Sequence, residues 1–248
     1  MNIIYILWLR QIKKYFRSRS RIIGSLGQPI LFLVAFGYGF GSIYQKAGGG
    51  NYIQFLAPGI ILMSVLFTSV FTGIEIIWDR QFGFLKETLV APVSRFQIML
   101  GRTMGGATVA TLQGLIVFFL TIFVGFHVQN ILLLPLALLL IFLVALLFTS
   151  LGTAIASRLE DMQGFQLIMN FLVMPIFFLS GALFPLKNLP PVMEIAIKLD
   201  PLTYGVDALR GILIGTAQFG VTFDFFILII ITAVLLGIGS YLFSKIQI

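Results

Sequence analysis

The sequence contains no cysteine and a single histidine among its 248 residues. Without cysteine, the chain can form no disulfide, no thiolate metal site and no cysteine nucleophile. One histidine is too few for a multi-histidine metal centre. The motif G-x-x-x-x-G-K-[ST], whose backbone cradles nucleotide phosphates, is also missing from the sequence. If ATP drives this protein, another chain must bind the ATP.

Charged residues are also scarce. They make up 10% of the chain, whereas a typical soluble domain has about a quarter. Hydrophobic residues make up 59%, and the mean hydropathy is +1.06. A chain of this composition cannot hide its apolar surface in water, so it is predicted to be an integral membrane protein. The distribution of its formal net charge of +7 fits membrane topology, and no nucleic-acid partner is expected.

Long uncharged windows lie between the charged residues, and a helix needs about 20 apolar residues to cross the ~30 Å hydrocarbon core. Lipid offers backbone groups no hydrogen-bond partner, so each crossing segment is predicted to be helical. The predicted fold class is therefore an all-α integral membrane protein with six transmembrane helices. The predicted spans are Ile22–Gln45, Ala47–Ile74, Thr103–Phe126, Ile131–Ser157, Met162–Leu186 and Phe225–Ser244.

Lysine and arginine predict the orientation, because they concentrate in cytoplasmic segments. If both termini are cytoplasmic, the inside segments hold twelve of these cations and the outside segments hold four. This asymmetry predicts an N-in, C-in topology. No repeat or low-complexity linker divides the chain, so residues 1–248 are predicted to form one transmembrane domain.

The N-terminal segment, residues 1–21, is predicted to form an amphipathic helix in the headgroup layer. Its basic face is expected to meet anionic membrane lipids; the alternative is that these cations only set topology. The basic face consists of Arg10, Lys14, Arg17 and Arg21, and the apolar face of Ile4, Trp8, Ile12 and Phe16.

The segment "DRQFGFLKETLVAPVSR", residues 79–95, lies between the second and third spans on the predicted cytoplasmic side. Asp79 is predicted to cap a short helix, and Pro92 disfavours helix at Ala91. An apolar stripe runs along this helix, with Arg80, Lys86 and Glu87 beside it. The helix is expected to pack on the membrane surface or on neighbouring helices, or else in a groove on another protein. The stripe consists of Phe82, Leu85, Leu89 and Val93.

The outer segment, residues 187–215, is rich in proline and is predicted to contain two short helices. The first covers Pro191–Leu199, and Asp200-Pro201 is a typical start for the second. Asp207 and Arg210 have the i, i+3 spacing of an intrahelical ion pair. The apolar content favours a re-entrant or interfacial cap over a plain linker.

Several ionisable residues lie at the ends of the predicted spans. Glu75 and Arg102 are predicted to form a structural ion pair where the second and third spans meet the cytoplasm. Arg158, Glu160 and Asp161 form a short cytoplasmic loop. No nucleophile or metal ligand accompanies the two acids of that loop, so catalysis there is not expected.

Three segments in chain order resemble the type-two family of ABC exporter permeases, which includes the daunorubicin-resistance and nodulation-factor permeases. They are "DRQFGFLKETLVAPVSR" followed by "LGR", then "FFLSGALFPLKNLP", and finally "DPLTYGVDALRG". The resemblance implies a homodimeric permease that is not itself an enzyme, in the cytoplasmic (inner) membrane of a prokaryote. It implies export of a hydrophobic or amphipathic substrate, drug or lipid-like, by alternating access.

The resemblance also implies a partner. A separate ATP-binding cassette subunit would bind ATP and magnesium, and this chain would bind no cofactor. The short helix within residues 79–95 would be the coupling helix that docks on that subunit, and the N-terminal helix is similar to the family's connecting helix. The implied docking residues are Arg80, Phe82, Phe84, Leu85, Lys86, Glu87 and Leu89.

Other functions fit parts of the pattern. A polysaccharide or lipid-linked glycan export permease would have the same architecture. An ion-coupled secondary transporter would place acidic groups near the bilayer midplane and often shows two inverted halves, whereas all six windows here lack charge and no halves match. A membrane-embedded enzyme would need a catalytic constellation that the spans lack. A membrane scaffold would not need a coupling helix.

Overall fold

The computed structural model describes residues 3–48, 50–90, 92–186 and 190–246, and the regular structure in these ranges is helical. Twelve α-helices are found there, together with a 3-10 turn at Ile131–Leu133. They are α1 (Ile3–Arg17), α2 (Arg19–Gly39), α3 (Gly41–Lys46), α4 (Tyr52–Phe71), α5 (Ile74–Gln81), α6 (Phe84–Val90), α7 (Arg95–Phe123), α8 (Leu134–Ala156), α9 (Met162–Leu179), α10 (Pro191–Leu199), α11 (Pro201–Ile214) and α12 (Val221–Ser244).

Six segments of the described chain are long and apolar enough to cross a membrane, which confirms the predicted six-span helical fold. The second combines α4 and α5 into Tyr52–Gln81, and the third begins already at Arg95. Both therefore extend past the charged residues at which the predicted windows stopped. The first span ends earlier than predicted, at Gly39, because the short helix α3 follows it.

Side-chain caps begin several of these helices where the sequence supplies a short polar residue. Asn51 accepts a hydrogen bond from the backbone N–H of Ile53, and Ser94 accepts one from Gln97. Each cap satisfies a backbone donor that the first helical turn leaves without a partner. These caps fix where α4 and α7 begin.

The interior of the bundle is formed mainly by α4, α7 and α8, with α11 packed beside them. Glycines allow the closest approaches. A Cβ added at Gly73 would lie 2.5 Å from the carbonyl oxygen of Gly152, so only glycine fits where the second and fourth spans cross. By contrast, α2, α9 and α12 bury few residues and present wide apolar surfaces.

Contacts between elements distinguish the two ends of the bundle. At one end, Arg95 Nη1 donates hydrogen bonds to the carbonyl oxygens of Ser244 and Ile246, at 2.6 and 2.9 Å. This end, with α5, α6 and the α8–α9 loop, is called the basic end below. At the other end, the distal end, the hydroxyl of Tyr52 donates to the carbonyl oxygen of Leu183 at 2.8 Å.

Candidate functional site

The connection between α5 and α6 differs from the predicted single helix. The helix of the second span continues through Asp79 to Gln81, and Gly83, with φ of +82°, separates it from α6. Asp79 was predicted to be an N-cap, and this prediction is wrong, because its carboxylate instead binds Arg10 and Arg102. The end of α6 at Val90 agrees with the predicted effect of Pro92; Ala91 lies outside the described residues.

The apolar stripe of the coupling segment is divided between two faces. Leu85 is 0% exposed, and Leu89 and Val93 pack against the core, so these three hold α6 and the segment after it on the bundle. Phe82 is 80% exposed and Val90 is 83% exposed. The predicted docking set therefore contains one residue, Leu85, that is buried beneath α6 and inaccessible to a partner in this conformation.

The exposed face of α6 is mixed in character. Lys86 and Glu87 are exposed beside Phe82. Phe84 is half-buried, and the guanidinium of Arg10 lies 3.8 Å from the centre of its ring. This cation–π contact connects α6 directly to α1.

Two acidic residues on α5 form ion pairs with the cations of the basic end. Asp79 binds Arg10 at 3.0 Å and Arg102 at 2.5 Å. Glu75 binds Lys14 at 3.2 Å and Arg21 at 3.0 Å. The predicted pairing of Glu75 with Arg102 is therefore corrected. Glu75 and Asp79 are one helical turn apart on α5, and each binds the cations nearest to its own turn.

The structure includes three cations that the sequence analysis did not assign to this cluster, namely Arg10, Lys14 and Arg21. Arg10 and Lys14 are spaced i, i+4 and match the i, i+4 spacing of Asp79 and Glu75 in reverse order. These matching spacings are visible in the sequence and could have predicted that α1 pairs with α5. The helix predicted over residues 1–21 ends at Arg17, and Arg21 belongs to α2. Three of the four residues of the predicted basic face, namely Arg10, Lys14 and Arg21, thus bind acidic side chains of the protein.

Helix α1 packs along α7 through its other face. The hydroxyl of Tyr15 donates to Gln113 Oε1 at 2.7 Å, and Trp8 Nε1 donates to Thr108 Oγ1 at 3.0 Å. A Cβ added at Gly105 would lie 2.7 Å from Gln11. The small residues of the third span therefore admit a helix of the same chain.

The loop between α8 and α9 is fastened to the end of α5. Arg80 donates to the carbonyl oxygens of Ser157 and Leu159, each at 3.2 Å. Asp161 caps α9 by accepting from the N–H of Gly164. Arg158 and Glu160 remain exposed, so this loop places two charged side chains beside the exposed end of α5.

At the distal end, the predicted helix over Pro191–Leu199 matches α10, and Asp200 caps α11 by accepting from the N–H of Leu202. Residues 187–189 of the predicted outer segment lie outside the described residues. Burial raises the pKa of the Asp200 carboxyl from 3.8 to about 7, against the lowering effect of the bond from Leu202. This cap is therefore a buried acid whose charged form is disfavoured.

Asp207 and Arg210 do not form the predicted ion pair. The carboxylate of Asp207 accepts from the N–H groups of Gln218 and Phe219, and it thereby holds the loop after α11. Arg210 Nη2 instead donates to the carbonyl oxygens of Phe55 and Gly181. Burial lowers the pKa of Arg210 to about 10, and the nearby charge of Asp207 partly offsets this shift.

Six spanning segments, with a charged network and an exposed short helix at one end, define a polytopic helical membrane protein. A family model described as "ABC-2 type transporter" matches residues 2–214. The chain belongs to the ABC-2 type transporter family and is a transport permease.

Curated relatives extend over most of the chain. Nodulation protein J of Rhizobium leguminosarum bv. trifolii is 30% identical over 213 residues, which is 85% of this chain and 78% of the relative. The putative transport permease ycf38 of Cyanophora paradoxa is 28% identical, and the match covers 84% of this chain and 72% of the relative. The inner membrane transport permease YadH of Escherichia coli strain K12 is 27% identical, and the match covers 82% of this chain and 80% of the relative.

Proposed function

We propose that this chain is the membrane subunit of an ATP-driven exporter in the cytoplasmic membrane of a prokaryote. Permeases of this family work with an ATP-binding cassette subunit. The observation that carries the proposal is the geometry of α6. Leu85 fixes this helix on the bundle, while Val90 of α6 and Phe82, just before the helix, form an exposed apolar surface.

The proposed docking surface consists of exposed residues at the basic end. An apolar centre flanked by charges of both signs suits a protein groove better than lipid, because α6 lies among exposed charged side chains. Arg80, by fastening the α8–α9 loop to α5, places the two parts of this surface side by side. The docking surface comprises Phe82, Lys86, Glu87, Val90, Arg158 and Glu160.

Two routes lead from the docking surface into the spans. One runs through Gly83 into α5 and the second span. The other runs from Phe84 through Arg10 into α1, which packs along the third span. Arg10 and Arg102 share the carboxylate of Asp79, so the two routes meet at one residue. Movement of α6 would thus displace α1, α5 and α7 together.

In this proposal ATP and magnesium bind to the partner subunit, and its conformational cycle drives the permease between inward- and outward-facing states. The proposal includes a homodimer, in which a second copy covers part of the wide apolar surfaces of α2, α9 and α12. An amphipathic cargo, drug or lipid-like, is supported by a cavity of about 230 Å³ between α2 and α4. Its lining mixes apolar and polar side chains, including Met63, Phe67, Ser64 and Thr68, and it contains one cation, Arg21.

The proposal is tested by Phe82→Asp in the full-length permease, co-expressed with its ATP-binding cassette subunit. A charge at the centre of the docking surface is expected to reduce co-purification of that subunit and ATP-dependent transport of a fluorescent amphipathic dye at least tenfold. Membrane insertion should not change, because Phe82 is 80% exposed.

The matched control is Val192→Asp, which places the same charge at a 79% exposed position on α10 at the distal end. This variant is expected to retain co-purification and transport. Unchanged transport in Phe82→Asp, or equal losses in both variants, would refute docking through α6.

A further inference from the structure

A cleft of about 750 Å³ lies at the distal end, between the start of α4 and the loop that follows α11. It opens at the surface, because lining residues such as Gly48, Asn51 and Ala217 are exposed. Its size is within the range of small-molecule sites, about 300–1,000 Å³. None of the described residues that line it is acidic.

Arg210 lies in the wall of this cleft and is only 6% exposed. Its Nη2 group donates to two backbone carbonyls, and its guanidinium lies 3.9 Å from the centre of the Phe55 ring. Among the described residues, Nε has no hydrogen-bond acceptor, and no carboxylate lies within 4.0 Å of the side chain. A buried cation normally has an anionic partner, so this guanidinium remains available to bind an anion.

Asp207 is the nearest acid whose charge acts on Arg210. Its carboxylate is occupied by the backbone N–H groups of Gln218 and Phe219, at 2.8 to 2.9 Å, and Asp207 is not part of the cleft lining. Its role is to hold the loop of Thr216 to Gln218 as a wall of the cleft. It therefore shapes the cleft, and Nε of Arg210 keeps no acceptor among the described residues.

The remaining polar groups of the cleft are uncharged donors and acceptors. Asn51, Gln54, Thr216 and Gln218 line it, and the N-terminus of α4 begins at the same place. The positive end of a long helix and an unpaired guanidinium both favour an anion. A planar guanidinium also matches the oxygens of phosphate better than a point charge does.

We propose that this distal cleft binds a phosphate group, with Arg210 as its charged anchor. The volume exceeds that of a phosphate ion, so the rest of a larger molecule fits beside it. The inference deepens the proposed function: if the chain exports an amphipathic molecule, the cleft takes the phosphate-bearing part of that cargo. The phosphate of a lipid headgroup and that of a free ion share this chemistry.

The test places a carboxylate in the cleft and leaves Arg210 unchanged. A Cβ at Gly211, the residue after Arg210, would lie 2.9 Å from the Cβ of Ala217, so position 217 adjoins the anchor. Ala217→Glu is expected to compete with phosphate, and Ala217→Gln fills the same space without the charge. A third variant, Arg210→Gln, removes the anchor itself.

The measurement is thermal unfolding of the full-length permease in phosphatidylcholine nanodiscs. One arm titrates inorganic phosphate against sodium chloride at equal ionic strength, and the other adds phosphatidic acid to the nanodisc. We expect an increase in Tm in at least one arm for the original chain and for Ala217→Gln. The apparent affinity should fall at least tenfold in Ala217→Glu and in Arg210→Gln.

The arm that responds identifies a free or a lipid-borne phosphate. An effect equal to that of chloride with no response to phosphatidic acid, or one that persists in Ala217→Glu, would overturn the inference. Arg210→Gln also removes bonds to Phe55 and Gly181, so a folding defect in that variant alone leaves the Ala217 pair to decide. The experiment contains no ATP-binding subunit, so its failure is distinguishable from a failure of docking at α6.

Discussion

Asp200 shows how one residue can have both a structural and a pH-dependent role. It caps α11, yet it is buried, and its pKa is raised to about 7. A group whose pKa is higher in the folded than in the unfolded state stabilises the fold when protonated. That contribution is complete below the ordinary pKa of 3.8 and is lost as the pH rises through about 7.

We predict that Asp200→Asn makes the stability of the permease less dependent on pH. Asparagine keeps the oxygen that accepts from Leu202 and cannot ionise. The Tm of the original chain minus that of the variant should therefore fall between about pH 5 and pH 8. Thermal unfolding in detergent across this window measures the difference, and a constant difference would contradict the raised pKa.

At this scale, the sequence predicted local roles better than pairings. Two features follow from short-range backbone rules, namely the cap of α11 at Asp200 and the end of α6 before Pro92. The pairing of Glu75 with Arg102 was wrong, because the sequence gives spacing within a helix but not which other helix lies opposite. Asp79 had two cations within reach, and only the packing of α1 brings Arg10 to it.

At the scale of the element, α1 depends on glycines in another helix. Gly105 lets the backbone of α7 approach Gln11 and Trp8, so a larger side chain must push α1 away. Overpacking of this kind costs about 1–3 kcal/mol. This contact connects α1, and through it the proposed docking surface, to the third span.

We predict that Gly105→Leu lowers the free energy of unfolding by that amount, about 1–3 kcal/mol, and loosens α1. The chain has no cysteine, so Trp8→Cys with Thr108→Cys can be joined by a short bifunctional reagent without background. Cross-linking of this pair should fall when Gly105→Leu is added. Gly24→Leu is the control, because a Cβ there meets nothing within 4 Å.

The six spans could be predicted from the sequence because the hydrocarbon core dictates their length and polarity. The faces of α6 could not. Its apolar residues are equally apolar whether they meet the bundle or another protein, and the packing of the bundle buries Leu85 and leaves Val90 exposed.

At the scale of the whole molecule, the two ends of the bundle have different chemistry. Twelve lysines and arginines belong to the predicted inside segments and four to the outside segments. The orientation derived from this asymmetry remains a prediction, and the absence of cysteine makes it easy to test.

We predict that Val192→Cys reacts with a membrane-impermeant maleimide in intact cells. Phe82→Cys should react only after the membrane is permeabilised. Both side chains are highly exposed, so the reagent reaches each once it is on the correct side. The reverse pattern would place α6 outside the cell and remove the proposed contact with an ATP-binding subunit.

Gly83 forms a bend between α5 and α6. Its left-handed backbone bends the chain between α5 and α6, and apart from its chain neighbours no atom of the described residues lies within 4 Å of where its Cβ would be. In the proposed function, a movement that the ATP-binding subunit applies to α6 would therefore change direction at Gly83 before it reaches the second span. A left-handed joint of this kind suits glycine, so the angle between α6 and α5 can adjust, while the contact of Phe84 with Arg10 still ties α6 to α1.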